Sequence, residues 1–443
     1  MIFMKGFGEK AKPRKKLNYE LNKLKYKQLV NEGFKHHSAG NISEAKKYYQ
    51  YLVKEGFQNE KVFNNYGVIL KDLDQYQEAE LCFRKSIQIN PKYAFAYSNL
   101  GSILIKLGYL KEAEISIRKA IELSPDLGEA YSKLSLVLIA DNRLEEAKLS
   151  ACKAIKLNPM DDDAHLNLGI VLRDLGELKA AELSIKKSIE IDPNVAKSYQ
   201  NLSLLDYTKG NICEAIKNIE KANDIDPISL DNKLLLAILN KKEYMRINGS
   251  NGREDNESCI EKCIDEPIIL NRKIDQNLIK SLYKLKSLDL NKFTDPSFGN
   301  ARGSDYKLFQ NNEKITEYLK EDLVSITKKV INSDVFFRDS FFTILEGDSI
   351  IKKHNHIGSL DKFPSLNLWK QKYSLVYYLS IGEQDCKYPG ILEFYEGKNS
   401  TKSNLEILPK EGMIIIFPAD RYHSVKYNGT KDRIIIGVNF YSI

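Results

Sequence analysis

The sequence predicts a multidomain α + β chain, with an N-terminal α-solenoid followed by a β-rich domain with flanking helices. Three observations lead there. Pro91, Pro125, Pro159, Pro193 and Pro227 recur every 34 residues, as do Ala45, Ala79, Ala113, Ala147, Ala181 and Ala215. The period then stops, and the chain ends in short apolar, β-branched runs punctuated by turn residues, such as Met413 to Phe417 and Ile434 to Phe440. Finally, 443 residues are too many for one core. The expected divisions are a basic arm at 1–25, a superhelix of six repeats plus a capping helix at 26–245, a linker at 246–275, and the C-terminal domain at 276–443.

The arm is rich in Lys and Arg between Lys5 and Lys27, but no aromatic-interleaved basic platform accompanies it, so it reads as a solvated lead into a helix and not as a nucleic-acid site. Net charge is only +7. No apolar run approaches the ~20 residues needed to span a bilayer, and the N-terminus lacks the apolar stretch of a secretory signal. Cys82, Cys152, Cys213, Cys259, Cys263 and Cys386 are scattered without a CxxC, as free thiols of a reducing compartment would be. A cytoplasmic protein is expected.

Six phased copies of a 34-residue unit signal tetratricopeptide repeats. Small residues at Gly33, Gly67, Gly101, Ser135, Gly169 and Ser203 let the two helices of each unit approach closely, and the prolines stop the second helix. One unit cannot bury its own apolar face, so stacking supplies the core and leaves a concave binding surface. Tyr97, Tyr131, His165 and Tyr199, at one phase, read as helix packing. Two residues before each small position stand Asn31, Asn65, Asn99, Asn167 and Asn201, with Lys133 interrupting. A side-chain amide offers donor and acceptor, the complement of a peptide backbone. The arrangement resembles the asparagine ladder of O-GlcNAc transferases, which implies a peptide partner held by its main chain; the bland alternative is that each Asn bonds a neighbouring helix.

Beyond Pro227, Leu230 to Tyr244 suits a capping helix and Asn248 to Asn256 a loop. Helical periodicity returns in Leu278 to Leu288 and Ile315 to Ile331. A Gly- and Ser-bearing stretch, Phe293 to Phe309, lies between them. Ser340 to Leu345 reads as a strand, followed by Glu346-Gly347-Asp348, then His354-Asn355-His356 and a second strand, Tyr373 to Ile381. Met413 to Phe417 and Ile434 to Phe440 read as two buried strands joined by a polar loop. His423 stands beyond the first, and Arg433 opens the second ten positions later.

An H-x-H, a distal His, and an Arg ten residues on resemble the iron(II)- and 2-oxoglutarate-dependent oxygenases. SLVYYLSIGEQDCKYPGILEFYEG, GMIIIFPADRYHSV and DRIIIGVNFYSI resemble more narrowly the bacterial members that carry tetratricopeptide repeats ahead of the oxygenase. The resemblance spans roughly Phe293 to Ile443, takes in the 293–309 stretch as the lead into the catalytic region, and implies a double-stranded β-helix (jelly-roll). It implies Fe(II) at His354 and His423, with His356 where the family has a carboxylate. His356 ligates, or water or Glu393 fills that place, or His356 is the first ligand and Gly358 the empty position. The resemblance also implies that Arg433 holds the distal carboxylate of 2-oxoglutarate as a planar fork. Tyr377 and Tyr378 alternate across their strand, so one faces inward; Tyr377 and Asn439 are the further candidates for contact with the co-substrate. The expected activity is a dioxygenase (hydroxylase) whose solenoid recruits a protein or peptide. Two rivals are a non-catalytic scaffold with a degenerate barrel, and a cupin-like metal protein that would leave Arg433 pointing outward.

Overall fold

The computed structural model describes residues 12–248, 266–285, 287–289, 301–304, 306–311, 313–345, 347, 349–357, 361, 363, 366 and 368–443. Glu346, Asp348, Gly358, Cys259, Cys263, and most of the 248–256 loop and the 293–309 stretch therefore lie outside the described residues. The chain divides into two compact units, Met1–Pro193 and Asn194–Ile443.

The first unit is a run of helix pairs: α1 (Lys12–Ser38), α2 (Ile42–Lys54), α3 (Glu60–Asp72), α4 (Tyr76–Ile89), α5 (Ala94–Lys106), α6 (Leu110–Leu123), α7 (Gly128–Ala140), α8 (Leu144–Leu157), α9 (Asp162–Asp174) and α10 (Leu178–Ile191). Helix α1 begins inside the segment expected as a basic arm. The small-residue phase does what its spacing suggests: a Cβ on Gly67 would meet the Phe83 ring at 2.7 Å, and one on Gly101 would run into Ile117. Each pair closes through a left-handed residue, filled by Gly40, Asp74, Gly108, Asn142 and Gly176 in turn, all at positive φ. Gly, Asn and Asp tolerate that conformation best. The second helices stop at Asn90, Ser124, Asn158 and Asp192, each just before its proline.

The second unit opens with α11 (Ala196–Thr208), α12 (Ile212–Ile225) and α13 (Leu230–Asn248). Its β region comprises β1 (Ile268–Asn271), β2 (Leu288–Asp289), β3 (Arg302–Gly303), β4 (Val335–Leu345), β5 (Ser349–His354), β6 (Lys372–Ile381), β7 (Pro389–Tyr395), β8 (Leu405–Ile407), β9 (Met413–Pro418), β10 (Tyr422–Tyr427) and β11 (Arg433–Ser442), with α14 (Gln276–Lys284) and α15 (Lys314–Ile331) interposed. All pairings between these strands are antiparallel. They form a seven-stranded sheet, β1-β9-β6-β11-β4-β3-β2, and a four-stranded sheet, β5-β10-β7-β8. From β4 onward the chain passes repeatedly from one sheet to the other. Alternation sorts the side chains of the larger sheet. Tyr373, Leu375, Tyr377, Ile414, Ile416, Ile434 and Ile436 pack with Leu278, Leu282, Leu319 and Leu323 of α14 and α15. Tyr378, Ile415, Phe417 and Ile435 pack against Leu392, Phe394 and Val425 of the smaller sheet.

Two expectations change here. Within the 246–275 linker, Ile268–Asn271 pairs with β9 as an edge strand. The polar loop between the two apolar runs contains a strand, β10, which leaves for the other sheet; β9 and β11 both pair with β6. Tyr422–Tyr427 alternates over too few residues, with Lys and Ser on its outer face, to stand out as a strand by hydropathy. Among the described residues no helix is long and apolar enough to cross a membrane.

Gly101→Val is expected to lower solenoid stability by about 1–3 kcal/mol through overpacking against Ile117. A thermal melt monitored by far-UV circular dichroism reads the loss; an unchanged melt would mean that the helix pair is looser than it is drawn.

Candidate metal centre

The smaller sheet brings the histidines together. His423, near the start of β10, is the register partner of His354, the last residue of β5. His356 follows two residues later, and its backbone N–H donates to the Ala419 carbonyl at 2.8 Å, just ahead of β10. The Asn355 amide donates to the Asp420 carbonyl at 3.3 Å. One ligand atom from each ring falls within 4.8 Å of the others.

Hydrogen bonds set the tautomers. His354 Nδ1 lies 2.8 Å from the Lys352 carbonyl, and His423 Nδ1 lies 3.2 Å from the Arg421 carbonyl. A carbonyl only accepts, so both Nδ1 atoms carry the proton and both Nε2 atoms present a lone pair. His356 Nε2 sits 3.3 Å from His423 Nε2. Burial lowers all three ring pKa values, and with repulsion from the neighbouring rings added His423 falls to about 3 and His356 well below the usual histidine value. The rings are therefore neutral at neutral pH, the form that binds a metal. Three close imidazoles, two of them with an Nε2 lone pair left free, fit a transition-metal cation. Among the described residues no carboxylate joins them. Glu393 is not a substitute: it faces away, accepting from Ser424 Oγ at 2.8 Å and Tyr395 Oη at 3.0 Å, while its neighbour Phe394 faces His423.

Arg433 enters the same inter-sheet space. Its side chain is 1% exposed. One guanidinium nitrogen donates to the carbonyls of Gly390 and Pro389, and the group stacks 5.1 Å from the Tyr378 ring centroid. A Cβ at Gly390, where φ is +80°, would collide with it. Nε has no hydrogen-bond partner, and among the described residues no carboxylate pairs with Arg433. Burial pulls its pKa below the usual arginine value. An uncompensated buried guanidinium is expensive, which fits an anionic ligand.

Two co-substrate candidates are corrected. Tyr377 faces the helices, where its hydroxyl accepts from Arg272 at 3.0 Å; Tyr378 takes the inward place. Asn439 shares the inward parity of Arg433 but bonds Ser374 at 2.8 Å, and six strand residues put roughly 20 Å between the two backbones, too far for one small diacid. The asparagine ladder is largely spent within the solenoid. Asn99 donates to Asn64 at 3.0 Å and accepts from Lys133 at 3.2 Å. Asn167 donates to the Ser132 carbonyl at 3.1 Å and to Ser135 Oγ at 3.0 Å, and Asn201 donates to the Lys197 carbonyl at 2.9 Å. Asn65 accepts from Asn64 at 3.3 Å, and Asn31 is exposed.

Sequence reasoning missed the buried Lys372–Asp361 ion pair at 2.8 Å, because neither residue belongs to a motif. It also missed a cavity of about 570 Å³ at the β9–β10 turn, lined by Trp369, Tyr373, Tyr395, Asp420, Arg421 and Tyr422 among others.

The helical repeats define the protein's class: the chain carries tetratricopeptide repeats. Family models described as tetratricopeptide repeat match residues 60–93, 96–127, 132–196 and 196–229. Similar solved structures include a thermophilic TPR protein of Thermus thermophilus, at 26% identity over 41% of this chain and 98% of that one, with a TM-score of 0.38. YrrB, a TPR protein with an unusual peptide-binding site, has 23% identity over 44% and 97%, with a TM-score of 0.32. A tetratricopeptide repeat protein of Parabacteroides merdae has 19% identity over 52% and 94%, with a TM-score of 0.40. No curated protein matches the chain.

In the metal-free protein, His423 titrates near 3 when folded and near 6.5 when unfolded, so between these values the unfolded chain binds more protons. The stability contributed is full above pH 6.5 and is lost as the pH falls toward 3. The urea midpoint is expected to drop between about pH 7 and about pH 5, and to drop less in His423→Gln.

Proposed function

We propose that the C-terminal domain at 276–443 is an Fe(II)- and 2-oxoglutarate-dependent dioxygenase, and that the repeats recruit its protein or peptide substrate. The observation that carries this reading is the triad of neutral imidazoles, His423 buried and His354 and His356 half-buried, each offering a ligand atom within 4.8 Å of the others. The two antiparallel sheets, with the chain alternating between them, support a double-stranded β-helix. The inward, carboxylate-free Arg433 supports oxoglutarate and disfavours a cupin-like protein in which this arginine would point outward.

His354, His356 and His423 would hold the metal. Iron with 2-oxoglutarate supplies, when bound, oxygen activation coupled to oxidative decarboxylation. The chain's own part is to bind, orient and exclude water. The carbonyls of Lys352 and Arg421 hold two of the rings in their ligating tautomers. Arg433, braced by Gly390 and Tyr378, would receive the distal carboxylate on its unpartnered Nε edge, a charged hydrogen bond contributing roughly 1.5–3 kcal/mol. Phe417 and Phe394 wall the triad, their ring centroids 4.9 Å and 6.2 Å from that of His423. The cavity flanked by Arg421 and Tyr422, which directly precede His423, is large enough for a substrate side chain.

The scaffold reading draws on the repeats, a class of fold built for protein–protein contact. Since the solenoid consumes most of its asparagine amides internally, the peptide partner would be read by other groups of the concave face.

Anaerobic titration of the purified chain with iron(II) and 2-oxoglutarate tests the assignment. The expected result is the weak visible charge-transfer band of chelated oxoglutarate, absent in His423→Ala and weakened at least tenfold in apparent affinity by Arg433→Met, which loses about 1.4 kcal/mol or more. Iron binding without the band would exclude oxoglutarate; no iron binding would leave the scaffold reading.

A further inference from the structure

We infer that Lys372 is the positioning residue for the H-x-H segment, clamping it to β6 from both sides. The inference rests on the reading of the triad as a metal site and adds a residue to it that no motif marks.

Two bonded routes meet at Lys372. The backbone carbonyl of Lys372 accepts from Ala419 N–H at 3.0 Å, and the Ala419 carbonyl accepts from His356 N–H at 2.8 Å. The other end of the same residue, its ammonium, pairs at 2.8 Å with Asp361, five positions beyond His356 in the chain. Asp361 is held in turn by the Tyr441 hydroxyl at 2.5 Å, and the Lys372 ammonium lies 5.3 Å from the centroid of the Tyr441 ring. Lys372 and Asp361 are 2% and 1% exposed.

A buried ion pair is weak evidence for stability, because desolvation takes back most of the Coulomb energy. Its directional value is better attested, and here the direction is specific. His354 is placed by its strand and by its partner His423, whereas His356 lies past the end of β5, beyond the ladder's reach. Its own N–H bonds Ala419 and its neighbour Asn355 bonds Asp420, while Asp361 stands five positions on in the chain; of these, Ala419 and Asp361 both bond Lys372. Groups that orient metal ligands from behind alter metal affinity by roughly 10–100-fold when removed.

The test is the double variant Asp361→Asn, Lys372→Met, which removes both charges at nearly constant volume, alongside the milder Tyr441→Phe. Two quantities are read on the full chain. In metal-free protein, hydrogen exchange of the His356 amide is expected to accelerate at least tenfold in the double variant and less in Tyr441→Phe, while amides of β6 and β11 keep their protection. In cobalt(II) titrations followed by the visible d–d spectrum, the double variant is expected to bind 10–100-fold more weakly, with a spectrum changed toward fewer nitrogen ligands. Unchanged His356 exchange overturns the clamp whether or not metal binds. Unchanged exchange together with wild-type cobalt affinity leaves the metal reading intact without it. No cobalt binding by the wild type sinks the metal reading alone, since the exchange result still decides the clamp. If protection is lost across β6 and β11 in the double variant, Tyr441→Phe decides: a local change at His356 sustains the inference, and none refutes it.

Discussion

The register of β10 on β5 is the constraint on which the site depends. It sets His423 opposite His354, and the ladder irregularity beside them, where three positions of β5 from Ile351 to His354 span two of β10, lets His354 share a face with Ile351 while His423 shares one with Val425 by ordinary alternation. A slip of one residue would turn His423 out and bring Ser424 in. With the register kept, the Nδ1 of His354 and that of His423 each meet a carbonyl two residues back in the chain, which leaves a lone pair on Nε2 of both rings.

Among the described residues of the second unit two cations, Lys372 and Arg433, are buried, and the chain treats them differently. Lys372 is neutralised by Asp361. Arg433 has only carbonyl oxygens and a tyrosine ring, and its Nε is left without a partner. The first arrangement is complete in itself and suits a structural fastening. The second leaves a positive charge, held off from water, with an edge for a further acceptor. Gly390 exists at its position for that guanidinium: any side chain there would occupy the same space.

The solenoid shows how a repeated residue can mislead. A column of asparagines suggests an outward ladder, yet Asn99 and Asn167 bond the first helix of the preceding repeat. Lys133 keeps the column's logic, reaching back to Ser98 and Asn99 at 3.2 Å each. Its ammonium also pairs with Glu129, so burial, which lowers its pKa, is partly offset. At Asn99, Lys133 and Asn167 the column is a seam between repeats.

By itself the sequence determined the local and periodic parts: the 34-residue unit, the close approach at Gly67 and Gly101, the β6, β9 and β11 runs, and the candidacy of three histidines and Arg433. These follow from spacing, because helix and strand periods dictate which side chains share a face. It did not separate Tyr377 from Tyr378, since alternation says that one faces inward without saying which. It did not show β10, whose six residues are half polar, or β1, a four-residue edge strand paired with β9. Nor did it expose Glu393 as turned away, Asn439 as out of reach, or Lys372 and Asp361 as partners. Those outcomes depend on which strands lie side by side and which sheet each joins, and such pairings between residues distant in the chain are decided only when the two sheets pack.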